Sequence, residues 1–191
     1  MCIRDREVDE DVIRAMLEKG TTVVPTMAVW YRRAYVYVDP STISEDVRNM
    51  RAVRAERTAS WKAMHDAGNR FATGTDTLDP VSKEIELMVY EMGISPMEAI
   101  VAATRNGAEA LGLEHIIGTI EAGKDADLVL VEGDPLSDLG ALRRVNRVFK
   151  EGKLVVDRGY LVSDEEAVDQ SGNLPGRGGR IFYDQAFRQP R

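Results

Sequence analysis

Arg70-Phe71-Ala72-Thr73-Gly74-Thr75-Asp76 is the stretch on which the fold turns. Its first four residues have the length and composition of a short strand, and they run straight into a Gly-Thr-Asp corner. A long helical pattern ends just before it at Gly68, and a further helix begins soon after Asp79-Pro80. A short strand between two helices is the unit of a parallel α/β fold with crossover helices. In α/β barrels the C-terminal ends of the strands carry the chemistry, which makes Asp76 the leading candidate residue. Gly74 is expected to let the backbone turn and come close to a ligand. On the tripeptide alone a plain turn is the favoured reading, because Asp and Thr bond their own backbone in such corners.

Toward the N-terminus, Asp9 can cap a helix whose apolar face is Val12, Ile13, Met16 and Leu17, with Gly20 ending it. Thr21 to Thr26 is a β-branched run with little polar alternation, as for a strand buried on both faces, and Pro25 sits near its end. Residues 27–43 connect it to the next helix and hold Trp30, Tyr31, Tyr35 and Tyr37. That helix is predicted from Ser44 to Ala67, with Val47, Met50, Arg54, Arg57, Trp61 and Met64 at alternating spacings of three and four.

Toward the C-terminus, Ser82 to Met92 is a third helix closed by Gly93. Ser95-Pro96-Met97-Glu98 is a capping box with Pro at the first helical position, starting a helix that runs to about Thr104. Asn106 is expected to cap a short helix that ends at Gly112. After Gly112 the period changes to two, with strands expected at Ile117 to Ile120, Ala126 to Val131, Arg147 to Lys150 and Leu154 to Val156. Glu151-Gly152 signals a tight hairpin between the last two. From Asp164 to Arg191 the chain is polar and rich in Gly and Arg, a loosely ordered tail with one short apolar piece, Ile181-Phe182-Tyr183, that could dock. The expected organisation is therefore 1–112 α/β, 113–160 small antiparallel β, and 161–191 tail.

The 191 residues are 43% hydrophobic and 30% charged, values of a globular chain. Lys and Arg number 25 against 32 Asp and Glu, a net charge of −7 that argues against nucleic acid or an anionic membrane as the main partner. No apolar run approaches the roughly 18 residues of a membrane span. Cys2 is the single cysteine, so no internal disulfide forms. Met1-Cys2-Ile3-Arg4-Asp5-Arg6 has no apolar leader behind it and reads as the edge of a truncated frame rather than a native start. The compartment stays open, with the cytoplasm slightly favoured.

Several segments, taken in order, resemble one family. They are Ala72-Thr73-Gly74-Thr75-Asp76, Gly93-Ile94-Ser95-Pro96-Met97-Glu98-Ala99-Ile100, Ala102-Ala103-Thr104, and Ala108-Glu109-Ala110-Leu111-Gly112-Leu113. They continue with Gly118-Thr119-Ile120-Glu121-Ala122-Gly123-Lys124-Asp125-Ala126-Asp127-Leu128-Val129-Leu130, Gly133-Asp134-Pro135, and Val148-Phe149-Lys150-Glu151-Gly152-Lys153. The series resembles the C-terminal part of metal-dependent amidohydrolases, especially the imidazolonepropionase-like group, over about Val8 to Asp157, and Gly118 to Leu130 is its most specific element.

The resemblance implies a (β/α)₈ TIM barrel plus a small β-sandwich built from both chain ends. This chain would hold the last strand–helix units and the C-terminal share of the sandwich, since a complete barrel needs roughly 250 residues. It implies one or two divalent metals, usually zinc. The ligands would be two His on the first strand, a carboxylated Lys or acid on the fourth, one His each on the fifth and sixth, and an Asp on the last. Only the last maps here, onto Asp76; the sixth-strand position falls within Met1 to Arg6, where no His stands. The implied reaction is hydrolysis of a carbon–nitrogen bond other than an ordinary peptide bond, in a small-molecule substrate of amide, cyclic-amide or dipeptide type. Asp76 would be both metal ligand and proton shuttle, because a carboxylate beside the attacking water can take its proton and deliver it to the leaving nitrogen. The parent is a possible homo-oligomer. The alternative is a scaffold that kept the fold and works through oligomer contacts; the presence or absence of upstream histidine pairs separates the two.

Other candidates have plainer explanations. His65 near a helix C-terminus is favourable through its charge alone, and His115 lies in a connector. Thr75 and Thr77 could orient Asp76 or simply bond the turn, and Asp79 could touch substrate or shape the loop before Pro80. Trp30, Tyr31 and Tyr35 follow a strand end and could line a pocket or pack as a cluster. Asp127 starts a strand and is given a turn-bonding role. Gly176-Arg177-Gly178-Gly179-Arg180 resembles a fragment of an RNA-binding Arg-Gly-Gly segment, but one copy on an acidic chain reads as a solvated tail.

Overall fold

In the computed structural model, residues 8–29, 45–76 and 79–162 are described, residues 45–51 by their backbone alone. They fall into two compact units, one ending at Thr119 and the other beginning at Ile120.

The first unit opens with α1, Glu10–Glu18, which starts where Asp9 accepts the Val12 N–H at 2.8 Å. The expected four-residue apolar face is narrower: Ile13 and Met16 are buried, whereas Val12 and Leu17 stay partly in water. β1, Thr22–Val23, pairs in parallel with β2, Arg70–Phe71, in the register Thr22 to Arg70 and Val23 to Phe71. Both are shorter than their sequence runs, and Val24 is exposed, so the expected burial of β1 on both faces does not extend to it. Between them lies α2, Glu45–Asp66, which buries Arg54, Trp61 and Met64. Val47 and Met50 are in the part of α2 whose side chains are not described.

α3, Val81–Met92, begins after Pro80 and stops at Gly93, whose φ of +76° favours a residue without Cβ. It is the most enclosed helix of the unit, burying Ile85, Leu87, Met88 and Met92 and also two acids, Glu84 and Glu86. An ion pair between buried Arg54 and Glu91 ties α2 to α3. α4, Pro96–Ala103, carries the expected capping box in both directions: Glu98 N–H donates to Ser95 Oγ at 3.2 Å and Ser95 N–H to Glu98 Oε2 at 2.9 Å. α5, Arg105–Leu111, follows with Thr104 at its start. Asn106 therefore lies inside α5 and does not cap it; its Nδ2 donates to the Phe71 carbonyl at 2.8 Å instead.

No strand forms at residues 117–120. The chain packs there too closely against α5 for a side chain: a Cβ on Gly118, at φ +96°, would stand 2.5 Å from the Ala108 methyl. The second unit is a four-stranded antiparallel sheet in the order β3 (Leu128–Val131), β4 (Val145–Lys150), β5 (Lys153–Asp157), β6 (Tyr160–Leu161). β3 starts two residues later than expected. Glu151 and Gly152 both have positive φ, as a two-residue hairpin turn of matching twist requires. Arg158-Gly159 repeats the device and makes β6, which the sequence reading left out.

Candidate active site at the ends of the parallel strands

The β1–β2 pair is tied beyond its regular residues. Ala72 N–H donates to the Val23 carbonyl at 2.9 Å, and Thr73 N–H to the Ala102 carbonyl of α4 at 3.3 Å. With Asn106 on the Phe71 carbonyl, the strand end is bonded on both sides before it reaches the corner.

At that corner the roles of glycine and aspartate are not the expected ones. Gly74 does not take the left-handed conformation; a Cβ on it would lie 2.7 Å from Val24 Cγ1 and 3.6 Å from Thr26 Cγ2. Its glycine is required by the neighbouring strand rather than by a turn. The left-handed residue is Asp76 itself, at φ +51°, and Thr26 past the end of β1 is at φ +49°. Such conformations cost a residue with a Cβ on the order of 1 kcal/mol, least for Asp and Asn. Strained backbone of this kind concentrates at functional sites.

Asp76 stands exposed there, with Thr75 and Asp79 half-buried beside it in sequence. Thr77, Trp30, Tyr31, Tyr35 and Tyr37 lie outside the described residues, as do Cys2 and the whole tail with Gly176 to Arg180 and Ile181 to Tyr183. His65 is not at the corner in the role of a ligand. Its Nε2 is 3.7 Å from Glu98 Oε1, its Nδ1 3.7 Å from Asp66 Oδ1, and its ring meets Phe71 edge-on at 6.0 Å. His115 is exposed in a turn. Asp127 belongs to the second unit, where its carboxylate accepts Lys150 Nζ at 2.7 Å and the Glu151 N–H at 2.8 Å. These bonds, that from Lys150 foremost, hold its acidity on the strong side of an ordinary carboxyl. It pins the β4–β5 hairpin across 24 residues, further than the turn-bonding role foreseen for it.

The sequence reading missed Glu84. It is fully buried, and its two carboxylate oxygens accept the N–H groups of Met27 at 2.7 Å and Ala28 at 2.9 Å, where residues 27–29 begin a helical turn. Burial pushes its pKa up to about 7, against the pull of the two backbone hydrogen bonds. The signal available was an acid on the apolar face of α3, one turn before Met88.

Among the described residues no group of three or more His, Cys, Asp and Glu side chains is arranged to hold a metal ion. Asp76 is a single carboxylate where zinc needs three or four protein ligands, so these residues by themselves do not fit the metal that the resemblance implies.

Residues 5–155 match the family model described as the amidohydrolase family. The chain belongs to this family. An imidazolonepropionase from Shouchella clausii (strain KSM-K16) is 39% identical over 114 residues, covering 54% of this chain and 25% of that protein. An ochratoxinase from Aspergillus niger is 30% identical over 165 residues, covering 83% of this chain and 34% of the relative. The crystal structure of A. niger ochratoxinase superposes with a TM-score of 0.71 at 29% identity, covering 81% of this chain and 37% of that one. A Xaa-Pro dipeptidase with bound methionine in the active site superposes at 0.66 with 34% identity, covering 76% and 37%. This amidohydrolase chain thus spans between a quarter and somewhat over a third of the length of these relatives. It has a mixed α/β fold like theirs, and no closed barrel is present among its described residues. None of its described helices is long and apolar enough to cross a membrane.

Proposed function

We propose that this chain is the C-terminal portion of a metal-dependent amidohydrolase that hydrolyses a carbon–nitrogen bond in a small-molecule substrate. Residues 1–112 would be the last strand–helix units of the (β/α)₈ barrel, residues 113–160 the C-terminal share of a composite β-sandwich, and the remainder a tail. The observation that carries the reading is Asp76, turned to φ +51° just past the end of a parallel strand, within the stretch matched to the family. The amide, cyclic-amide or dipeptide substrate class is supported by relatives named imidazolonepropionase and Xaa-Pro dipeptidase.

Asp76 is this chain's own contribution to the site. Its carboxylate would be the last-strand ligand to a divalent ion, zinc by preference, with the other ligands coming from parts of the protein outside this chain. Such an ion lowers the pKa of water. The Asp76 carboxylate accepts the proton of the attacking water and then donates it to the departing nitrogen. Thr75 and Gly74 set the position of its backbone, Gly74 by letting the end of β1 approach.

The test is to recover the complete reading frame upstream of Met1 and express it. Histidine pairs at the ends of upstream strands, together with hydrolysis of amides, cyclic amides or dipeptides that Asp76→Asn abolishes, bear the proposal out. An upstream sequence without them leaves the fold and removes the activity.

A further inference from the structure

We propose that Glu84 is a positioning residue for this site, seating the turn at residues 27–29 against α3 and so fixing the loop that leaves β1 beside Asp76. The proposal rests on the reading that the Asp76 corner is the active site.

Three observations carry it. The two hydrogen bonds span 57 and 56 residues and join the helix that Asp76's own loop enters to the loop of the neighbouring strand. Met27 directly follows Thr26, whose methyl lies against the position of Gly74, two residues from Asp76. A shift of the 27–29 turn therefore moves Thr26, whose methyl, like that of Val24, faces the Gly74 backbone two residues before Asp76. The third observation is chemical. Two N–H groups at the start of a helical turn need two acceptors and present partial positive charge, and a carboxylate supplies both oxygens at a fixed separation. Glutamine has one acceptor and would set an NH₂ against the other N–H; an apolar residue would leave both N–H groups buried and unpaired. Thr26, which is of a type able to cap locally, is turned to φ +49° instead. Among the described residues, the N–H groups of Met27 and Ala28 are taken up by Glu84, on the helix that the Asp76 loop enters.

The experiment uses the complete enzyme with Glu84→Gln, Glu84→Asp and Asp76→Asn, comparing amide hydrogen exchange in the peptide spanning residues 22–29 with steady-state kinetics. The substrates are Ala-Pro, N-acetyl amino acids and cyclic amides. In Glu84→Gln we expect exchange in that peptide to rise about tenfold, the weight of roughly one hydrogen bond, with KM raised about tenfold and kcat within about threefold. Glu84→Asp, which keeps both oxygens on a shorter stem, should fall between the two. Unchanged exchange in Glu84→Gln overturns the proposal. So does raised exchange with wild-type kcat and KM, or loss of fold in both Glu84 variants, since each makes Glu84 a structural residue only. Undiminished kcat in Asp76→Asn, or hydrolysis of none of the substrates, refutes the functional reading instead, and the exchange result still decides whether Glu84 holds the turn.

Discussion

Glu84 Oε1 accepts the Met27 N–H at 2.7 Å inside the first unit, where the side chain is fully buried. Its folded-state pKa of about 7 lies above the ordinary 4.5 because burial outweighs its hydrogen bonds. The native protein then holds a proton that the unfolded chain has released between pH 4.5 and 7, so stability falls as pH rises through that window and levels above it. The expected loss is about 3 kcal/mol. Denaturant titrations at pH 5, 6, 7 and 8 check this; Glu84→Gln should flatten the slope, and an equal slope in both proteins would move the effect to another group.

Asp76→Asn in the complete enzyme should keep the fold and lower kcat by about 10² to 10⁴, with KM much less changed, because Asn is isosteric but cannot take a proton. Turnover close to that of the unaltered enzyme would reduce Asp76 to a turn residue.

The 191-residue chain by itself should bind zinc no better than micromolar and hydrolyse none of the amide and dipeptide substrates, since its described residues bring together no metal-holding group and Asp76 is one ligand where three or four are needed. Metal analysis after dialysis is the measurement. A stoichiometric, tightly held ion would mean that ligands outside the described residues complete a site.

Gly118→Ala should destabilise the first unit by about 2–4 kcal/mol, combining overpacking with a left-handed φ that alanine resists. The added methyl would stand 2.5 Å from Ala108 Cβ and 3.3 Å from the Thr104 carbonyl oxygen, neither able to swing aside. A midpoint shift in chemical denaturation reads it directly, and Gly123→Ala, with nothing within 4 Å at its φ of +92°, gives the backbone share alone.

Local chemistry made much of the architecture readable. Asp9, Ser95-Pro96-Met97-Glu98, Gly93 and Gly112 mark helix ends through bonds to atoms three or four residues away, and these stand where the sequence put them. Glu151-Gly152 marked its hairpin for the same reason, and Arg158-Gly159 carried the same signal unread. What could not be read depends on partners distant in sequence. Gly74 is glycine because of Val24, Gly118 because of Ala108, and Asn106 serves the Phe71 carbonyl rather than its own helix. Glu84 was hidden by its pattern, since an acid within an apolar run looks like solvated surface until the two N–H groups from residues 27 and 28 are seen. The corner at Asp76 was found by its place after a strand, not by a ligand set.

The two sheets differ in when they can form. In β4 to β6 the partners are joined by two-residue turns, so closure is local and belongs to the microsecond scale of hairpins. Thr22 and Arg70 stand 70 − 22 = 48 positions apart, and their pairing must wait for a long loop to be brought together. Pulse-labelled exchange during refolding should find the Val148 and Val156 amides protected before that of Ala72; the opposite order would show that α2 delivers β2 early. By this ordering the sheet made last on the ribosome acquires its register first. The contact between Glu84 and Met27, longer in span than the strand pair itself, forms late, so the candidate site is among the last parts of the chain to mature.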